Sequence, residues 1–178
     1  MPTTRLRPLL VSDETVIRPW LRSYLREHLG WWSESVFGEP WSPEMIADHL
    51  ERHDLVSSEW RNLTRAADAS DSFVQVAHSP KSPLGVVWGE VRTDRYLCSP
   101  MGVVSWIFVS PTHRREGIAG LLLEATNAWF LWRGVAGRTL HVTTANEAAC
   151  ALYSREGYRV ADHRLLAPIP TSPPEGEP

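Results

Sequence analysis

The chain has 178 residues, of which 43% are hydrophobic and 22% charged, and a formal net charge of −3, the make-up of a soluble globular protein long enough to bury a core. That charge excludes the strongly basic surface of a dedicated nucleic-acid binder, and no run of ~18 apolar residues is present to span a membrane. The opening MPTTRLRPLLVSDET lacks the apolar stretch of a secretory signal, and Cys98 and Cys150 read as separate reduced thiols, so a cytoplasmic protein is expected.

In chain order, RLRPLL (5–10) reads as a first strand. PWLRSYLREHL (19–29) has helical spacing with Pro19 at the first helical position, and SPEMIADHLERH (42–53) reads as a helix capped by Ser42 with Pro43 following. Residues 54–71 carry mixed signals. SFVQVAH (72–78), LGVVWGEVRT (84–93) and MGVVSWIFV (101–109) read as three strands joined by short turns, which predicts an antiparallel meander. A helix follows, with Ile118, Leu121, Leu122, Ala125, Trp129 and Trp132 on one face and Gly134 and Gly137 ending it. RTLHVTT (138–144) reads as a strand. NEAACALYSRE (146–156) reads as a helix with Asn146 as N-cap and Gly157 at the left-handed C′ position. YRVADHRLL (158–166) is expected to be a last strand, completing one domain over residues 1–166, and the proline-rich tail over 167–178 is expected to be disordered.

The junction VSPTHRREGIAGLLLEATNAW (109–129) carries the chemistry. A helix entered directly from a strand presents its first N–H groups unpaired, beside the positive end of its dipole. Gly117 and the small Ala119 and Gly120 let a bulky phosphate approach that backbone, while Arg114 and Arg115 add fork-shaped cationic donors. These are the requirements of a pyrophosphate cradle. Neither the Walker-A spacing nor the G-x-G-x-x-G fingerprint occurs. What remains is R-x-x-G-x-A, Arg114 to Ala119.

This pattern resembles the Q/R-x-x-G-x-G/A motif with which GNAT-type N-acetyltransferases seat the pyrophosphate of acetyl-CoA. The same family's N-x-x-A-x-x-L-Y-x-x-x-G-F/Y pattern is matched by NEAACALYSREGY, through Asn146, Ala149, Leu152, Tyr153, Gly157 and Tyr158, and PLGVVWGEV sits where the family's third strand belongs. The likeness covers residues 72–166. It implies an α/β fold whose central mixed, mostly antiparallel sheet has about six or seven strands flanked by about four helices. In such a fold two strands splay apart into the acetyl-CoA cleft.

The resemblance implies roles for individual residues. Backbone groups of Ile107, Phe108 and Val109 would pair with pantetheine as with an added strand. Arg114, Arg115, Gly117, Ile118, Ala119 and Gly120 would hold the pyrophosphate, the Glu116 side chain turning outward. Asn146 would add a hydrogen bond on the pantetheine side. Tyr153, two helical turns from Asn146, would protonate the departing thiolate, against the plainer reading of a core tyrosine with its hydroxyl at the rim. The reaction implied is direct attack of a primary amine, of a small molecule or a peptide, on the thioester. A CoA-binding module without turnover is the alternative. No glutamate stands on the strand before the motif, so the base is unassigned between Glu90 and a water relay.

Other signals are weaker. His49 and His53 have the spacing of a zinc pair, but Glu51 lies about 200° around the helix from His49 and no third ligand is evident, so a solvated face is expected and no metal. Of nine tryptophans, five lie in the first 60 residues. Trp31, Trp32 and Trp41, interleaved with Glu27, Glu34, Glu39 and Glu44, form either core or an acidic aromatic pocket for a cationic amine, with Trp31, Trp32 and Glu90 as substrate candidates. A homodimer is left open as a partner.

Overall fold

Three runs rich in β-branched and aromatic residues between 72 and 109 form the middle of the sheet in the computed structural model, which describes residues 4–166. The tail lies outside the described residues. Strands β1 (Arg5–Pro8), β2 (Ser72–His78), β3 (Pro83–Thr93), β4 (Pro100–Val109) and β5 (Gly137–Leu140) follow one another across a single sheet. The first four pair antiparallel and β5 pairs parallel to β4. The α/β class and the mostly antiparallel mixed sheet are as expected, with five strands where six or seven were expected. Five helices accompany it: α1 (Glu14–Phe37), α2 (Pro43–Arg52), α3 (Leu55–Asp68), α4 (Ile118–Trp132) and α5 (Glu147–Arg155).

Two cores share the sheet. On one face Ile17 and Leu21 of α1 and Val56, Trp60 and Leu63 of α3 pack on Val74, Val76, Val86, Trp106 and Phe108. On the other, Ile118, Leu122, Leu123 and Phe130 of α4 pack on Ala77, Val87 and Val104. Val104 and Trp106 are two apart yet face opposite cores, because Ser105 has no partner between the Trp88–Trp106 and Gly89–Val104 pairs. This β-bulge re-aims the second half of β4.

Several elements depart from the sequence reading. α1 begins at Glu14, which leaves Pro19 inside it rather than at its start. The proline removes one i→i−4 bond at an exposed position, and the helix continues because its apolar face is held by the sheet. Asp13 anchors the entry: Arg7 donates two hydrogen bonds to it at 2.7 Å and the Leu10 N–H a third at 2.9 Å. Burial pushes the Asp13 pKa up, but these bonds together outweigh it and hold the carboxyl below its ordinary range. The ambiguous segment is α3, whose buried Val56, Trp60, Leu63 and Ala66 follow helical spacing between polar residues.

On α4 the buried row is Ile118, Leu122, Leu123, Thr126 and Phe130. Trp132, expected on the apolar face, is 77% exposed. Thr126 is tolerated there because its hydroxyl donates to the Leu122 carbonyl at 2.8 Å. The helix ends at Trp132, and Gly137 opens β5 instead of closing α4. β5 stops at Leu140, short of the expected residue 144, and residues 158–166 follow α5 without forming a strand.

α4 reaches the sheet closely because the strands beneath it carry glycine. A Cβ at Gly89 would lie 2.7 Å from the Thr126 Cγ2, and one at Gly102 would lie 2.7 Å from the Phe130 ring. Replacing either glycine with leucine should lower stability by about 1–3 kcal/mol through overpacking, read as a lower midpoint in denaturant. An unchanged midpoint would mean that α4 is free to move off the sheet.

Candidate active site

Pairing between β4 and β5 ends at Val104–Leu140, while β4 runs on to Val109. From Ser105 onward, therefore, one edge of β4 has no strand beside it among the described residues. The Ser110 N–H donates across to the Leu84 carbonyl at 2.9 Å, and the Phe108 carbonyl faces Gly85 of β3. Strand alternation then turns the N–H and C=O groups of Ile107 and Val109 to the open edge. Of the three residues expected to offer backbone groups there, Phe108 spends its own within the sheet. The Val109 carbonyl is met by Arg114 Nε at a long 3.4 Å, with that guanidinium 5.7 Å from the Phe108 ring centroid.

The open edge ends at the start of α4. Between them, Pro111–His113 make a 3-10 turn, and Arg115 and Gly117 are both left-handed, with φ of 68° and 82°. No side chain caps α4, and Leu121 is the first of its residues to bond backward, to the Gly117 carbonyl at 3.1 Å. The N–H groups of Ile118, Ala119 and Gly120 thus stand before the first helical bond. A Cβ built at Gly117 or Gly120 would meet nothing within 4 Å, so the space before these amides is clear. Arg114 and Arg115 are exposed beside it, and Glu116 is exposed with its carboxylate 3.4 Å from His113 Nδ1. Left-handed backbone, free amides and cationic side chains in one loop make an arrangement that can seat an anion.

α5 stands beyond the cleft. Asn146 caps it, its Oδ1 accepting from the Ala149 N–H at 3.2 Å, and Gly157 closes it at φ 83°. Tyr153 packs on the α4 core and meets Tyr158 edge-on at 5.8 Å. Burial, helped by the neighbouring Tyr158, Tyr24 and Cys150, pushes the Tyr153 phenol up to about 12. It is fully protonated at neutral pH, a donor and a weak acid.

Above β4 lies α1. Trp20 stacks on Phe108 at 5.5 Å and Tyr24 meets Trp106 at 6.1 Å. Tyr24, His28 and Trp32 follow at centroid spacings of 5.8 and 5.2 Å. Burial lowers the His28 pKa, which keeps the ring neutral. Burial also raises the pKa of Glu59, on α3, and the Glu59 charge adds to burial in raising that of Tyr24. Of the two tryptophans named from sequence, Trp32 joins this row; Trp31 is half-buried and does not. Tyr24 and His28 were missed, although their four-residue recurrence with Trp20 and Trp32 was a signal in plain view. Glu90 accepts from Ser105 at the bulge and from Arg92 at 2.6 Å. The indole N–H groups of the cross-strand pair Trp88 and Trp106 find no acceptor among the described residues.

His49 meets Trp41 at a tilt beyond the end of α1, with ring centroids 4.9 Å apart, and His53 lies 4.5 Å from His49 on its other side; no cluster of three or more metal-ligating side chains occurs among the described residues. Two shallow hollows, of about 340 and 300 Å³, lie away from the cleft, along Pro19–Glu27 and over Arg7, Asp13 and the β2–β3 turn. No helix of the described residues is long and apolar enough to cross a membrane.

A mixed sheet whose edge opens beside an uncapped, glycine-preceded helix defines the class of fold. Comparison with known proteins makes the class specific: the model of the acetyltransferase (GNAT) family matches residues 18–158, and the chain belongs to that family. Streptothricin acetyltransferase of Escherichia coli is 40% identical over 55 residues, a match spanning 31% of this chain and 32% of that protein. The fold is shared with PaiA N-acetyltransferase of Thermoplasma acidophilum in complex with coenzyme A, at TM-score 0.68 and 15% identity over 91% of this chain and 93% of that one. It is shared also with an aminoglycoside 6'-N-acetyltransferase of Acinetobacter haemolyticus, at TM-score 0.59 and 20% identity over 90% and 94% of the two chains.

The Tyr153 environment predicts an alkaline signature. The folded pKa of about 12 lies above the ordinary value of 10.0, so this contribution to stability is complete below the ordinary value and is lost as pH rises through the folded one. Ultraviolet titration should show a tyrosine ionising near the raised value that Tyr153→Phe removes, and the variant's stability should fall less steeply above pH ~10. Loss in the variant of a tyrosine ionising near the ordinary value of 10.0 instead would place Tyr153 in solvent.

Proposed function

We propose that this protein transfers the acetyl group of acetyl-CoA to the primary amine of a small-molecule acceptor. The observation that carries the reading is the continuity of the open β4 edge with the uncapped start of α4. An acyl-pantetheine arm has amides to pair with a strand edge, and its diphosphate end needs free N–H groups one arm's length along. The cradle fits such a tail, because the space before Gly117 and Gly120 is clear.

In this reading Ile107 and Val109 supply the strand-edge groups, and a pantetheine amide takes the Val109 carbonyl from Arg114, whose bond there is weak. Arg114 is thereby released toward the phosphates, which Arg115 and the amides of Gly117, Ile118, Ala119 and Gly120 also hold. Asn146 spends its oxygen on the helix cap, so its contribution to the pantetheine side is its NH₂ group. An N–H of the open edge stabilises the oxyanion formed when the amine attacks. Tyr153 hydrogen-bonds the departing sulfur. Its phenol is roughly three to four units less acidic than a free thiol, so the proton passes to sulfur only as another arrives from the cationic nitrogen of the adduct. The amine proton lost before attack leaves through water or Glu90.

The small-molecule acceptor is supported by the relatives: the streptothricin and aminoglycoside acetyltransferases are both named for small amine-bearing substrates.

Titration calorimetry with acetyl-CoA and thiol release across an amine panel test the proposal. Gly120→Leu should abolish binding with an unchanged melting temperature, since its side chain enters open space. Tyr153→Phe should keep binding and lose about 10²–10⁴-fold in turnover. Binding without turnover on any amine would leave a CoA-binding module, and no binding would remove the site altogether.

A further inference from the structure

The aromatic row on α1 says more about the acceptor, given the amine-acetyltransferase reading on which this inference rests. Tyr24, His28 and Trp32 recur every four residues and so line one side of the helix. The inner end of the row meets Trp106 beside Ser105, where the sheet opens. There the half-buried Glu59 supplies negative charge felt at Tyr24, and Tyr24 in turn is near enough to perturb Tyr153. The outer end is Trp32. Over its ring, 4.5 Å from the centroid, sits the guanidinium carbon of Arg164.

Arg164 comes from the irregular segment after α5, and no carboxylate pairs with it among the described residues. Its resting place is the indole face, the strongest side-chain surface for an organic cation. Between the two ends His28 is neutral, so the row presents no like charge to a passing cation.

We propose that Trp32 is a subsite for a second positive charge of the acceptor, and that Arg164 occupies this subsite until the acceptor displaces it. The acceptor is then an elongated amine with two cationic groups, one reacting at the inner end of the row and the other resting on Trp32. Eight residues of α1 separate Tyr24 from Trp32, about 12 Å along the axis, which sets the spacing of the two charges.

The test uses two probes: an α,ω-diamine with a spacer of about ten carbons, matched to that span, and the amino alcohol of equal length, which keeps the reacting amine and replaces the second cation with a hydroxyl. Thiol release from acetyl-CoA and calorimetric binding are measured for both. The diamine should bind roughly three- to thirtyfold more tightly, with the difference in KM rather than kcat. Trp32→Leu should reduce the diamine to the level of the amino alcohol, Trp32→Phe should retain part of the preference, and Arg164→Gln should lower the KM of the diamine. Melting curves establish that the variants fold. Equal affinity for the two probes, or a Trp32→Leu effect of the same size on both, overturns the inference. Diamine-selective binding lost in Trp32→Leu, without thiol release from any amine, would uphold the subsite and overturn the transferase reading instead.

Discussion

The structure depends on a strand that loses its neighbour halfway. β4 is paired on both sides as far as Val104 and on one side beyond it. Peptide groups without partners are costly when buried, so an open edge must face solvent or a ligand that hydrogen-bonds like a strand. β5 is only four residues long, and beyond Leu140 the chain leaves the sheet for the cap of α5. The bulge at Ser105 turns β4 at the same level. Divergence of one strand and twisting of the other together make the cleft.

The neighbouring elements then act through their positions relative to that edge. α4 brings its unpaired amides to the end of β4 because Ile118, Leu122, Thr126 and Phe130 lock it down on strands that carry glycine at the contact points. The anion seat is in this sense a packing result. A side chain at Gly102 would lie far along α4 from its first turn, yet it would press on Phe130 and so on the seating of the whole helix. α1 crosses the opposite face of β4, placing Trp20 on Phe108 and Tyr24 on Trp106, so the helix runs from the anion end of the strand toward its mouth.

Charge is distributed in keeping with this geometry. Arg114 and Arg115 stand at the helix start, where an anion would lie. Glu59 and the aromatic row stand at the other end, where a cation would. Between them burial keeps Tyr153 and His28 uncharged at neutral pH. A neutral centre between a cationic and an anionic approach suits a reaction that joins a polyanionic donor to an ammonium acceptor.

The sequence by itself determined the local features. The start of α4 just after Gly117, the cap at Asn146, the left-handed Gly157 and the three central strands were all legible, because each depends on residues within a few positions of one another. The start of α1, the existence of α3 and the buried row of α4 were not, since tertiary contacts with the sheet override a proline, a diluted apolar pattern and a competing tryptophan face. The splay, too, was decided only in three dimensions. Whether Val109 has a strand beside it depends on where β5 stops, some thirty residues later in the chain, and no local pattern encodes that. The same holds for the row of Tyr24, His28 and Trp32. Its spacing was visible in the sequence, but which wall it forms was settled by α1 packing across β4, a contact between segments far apart along the chain and joined only by the folded core.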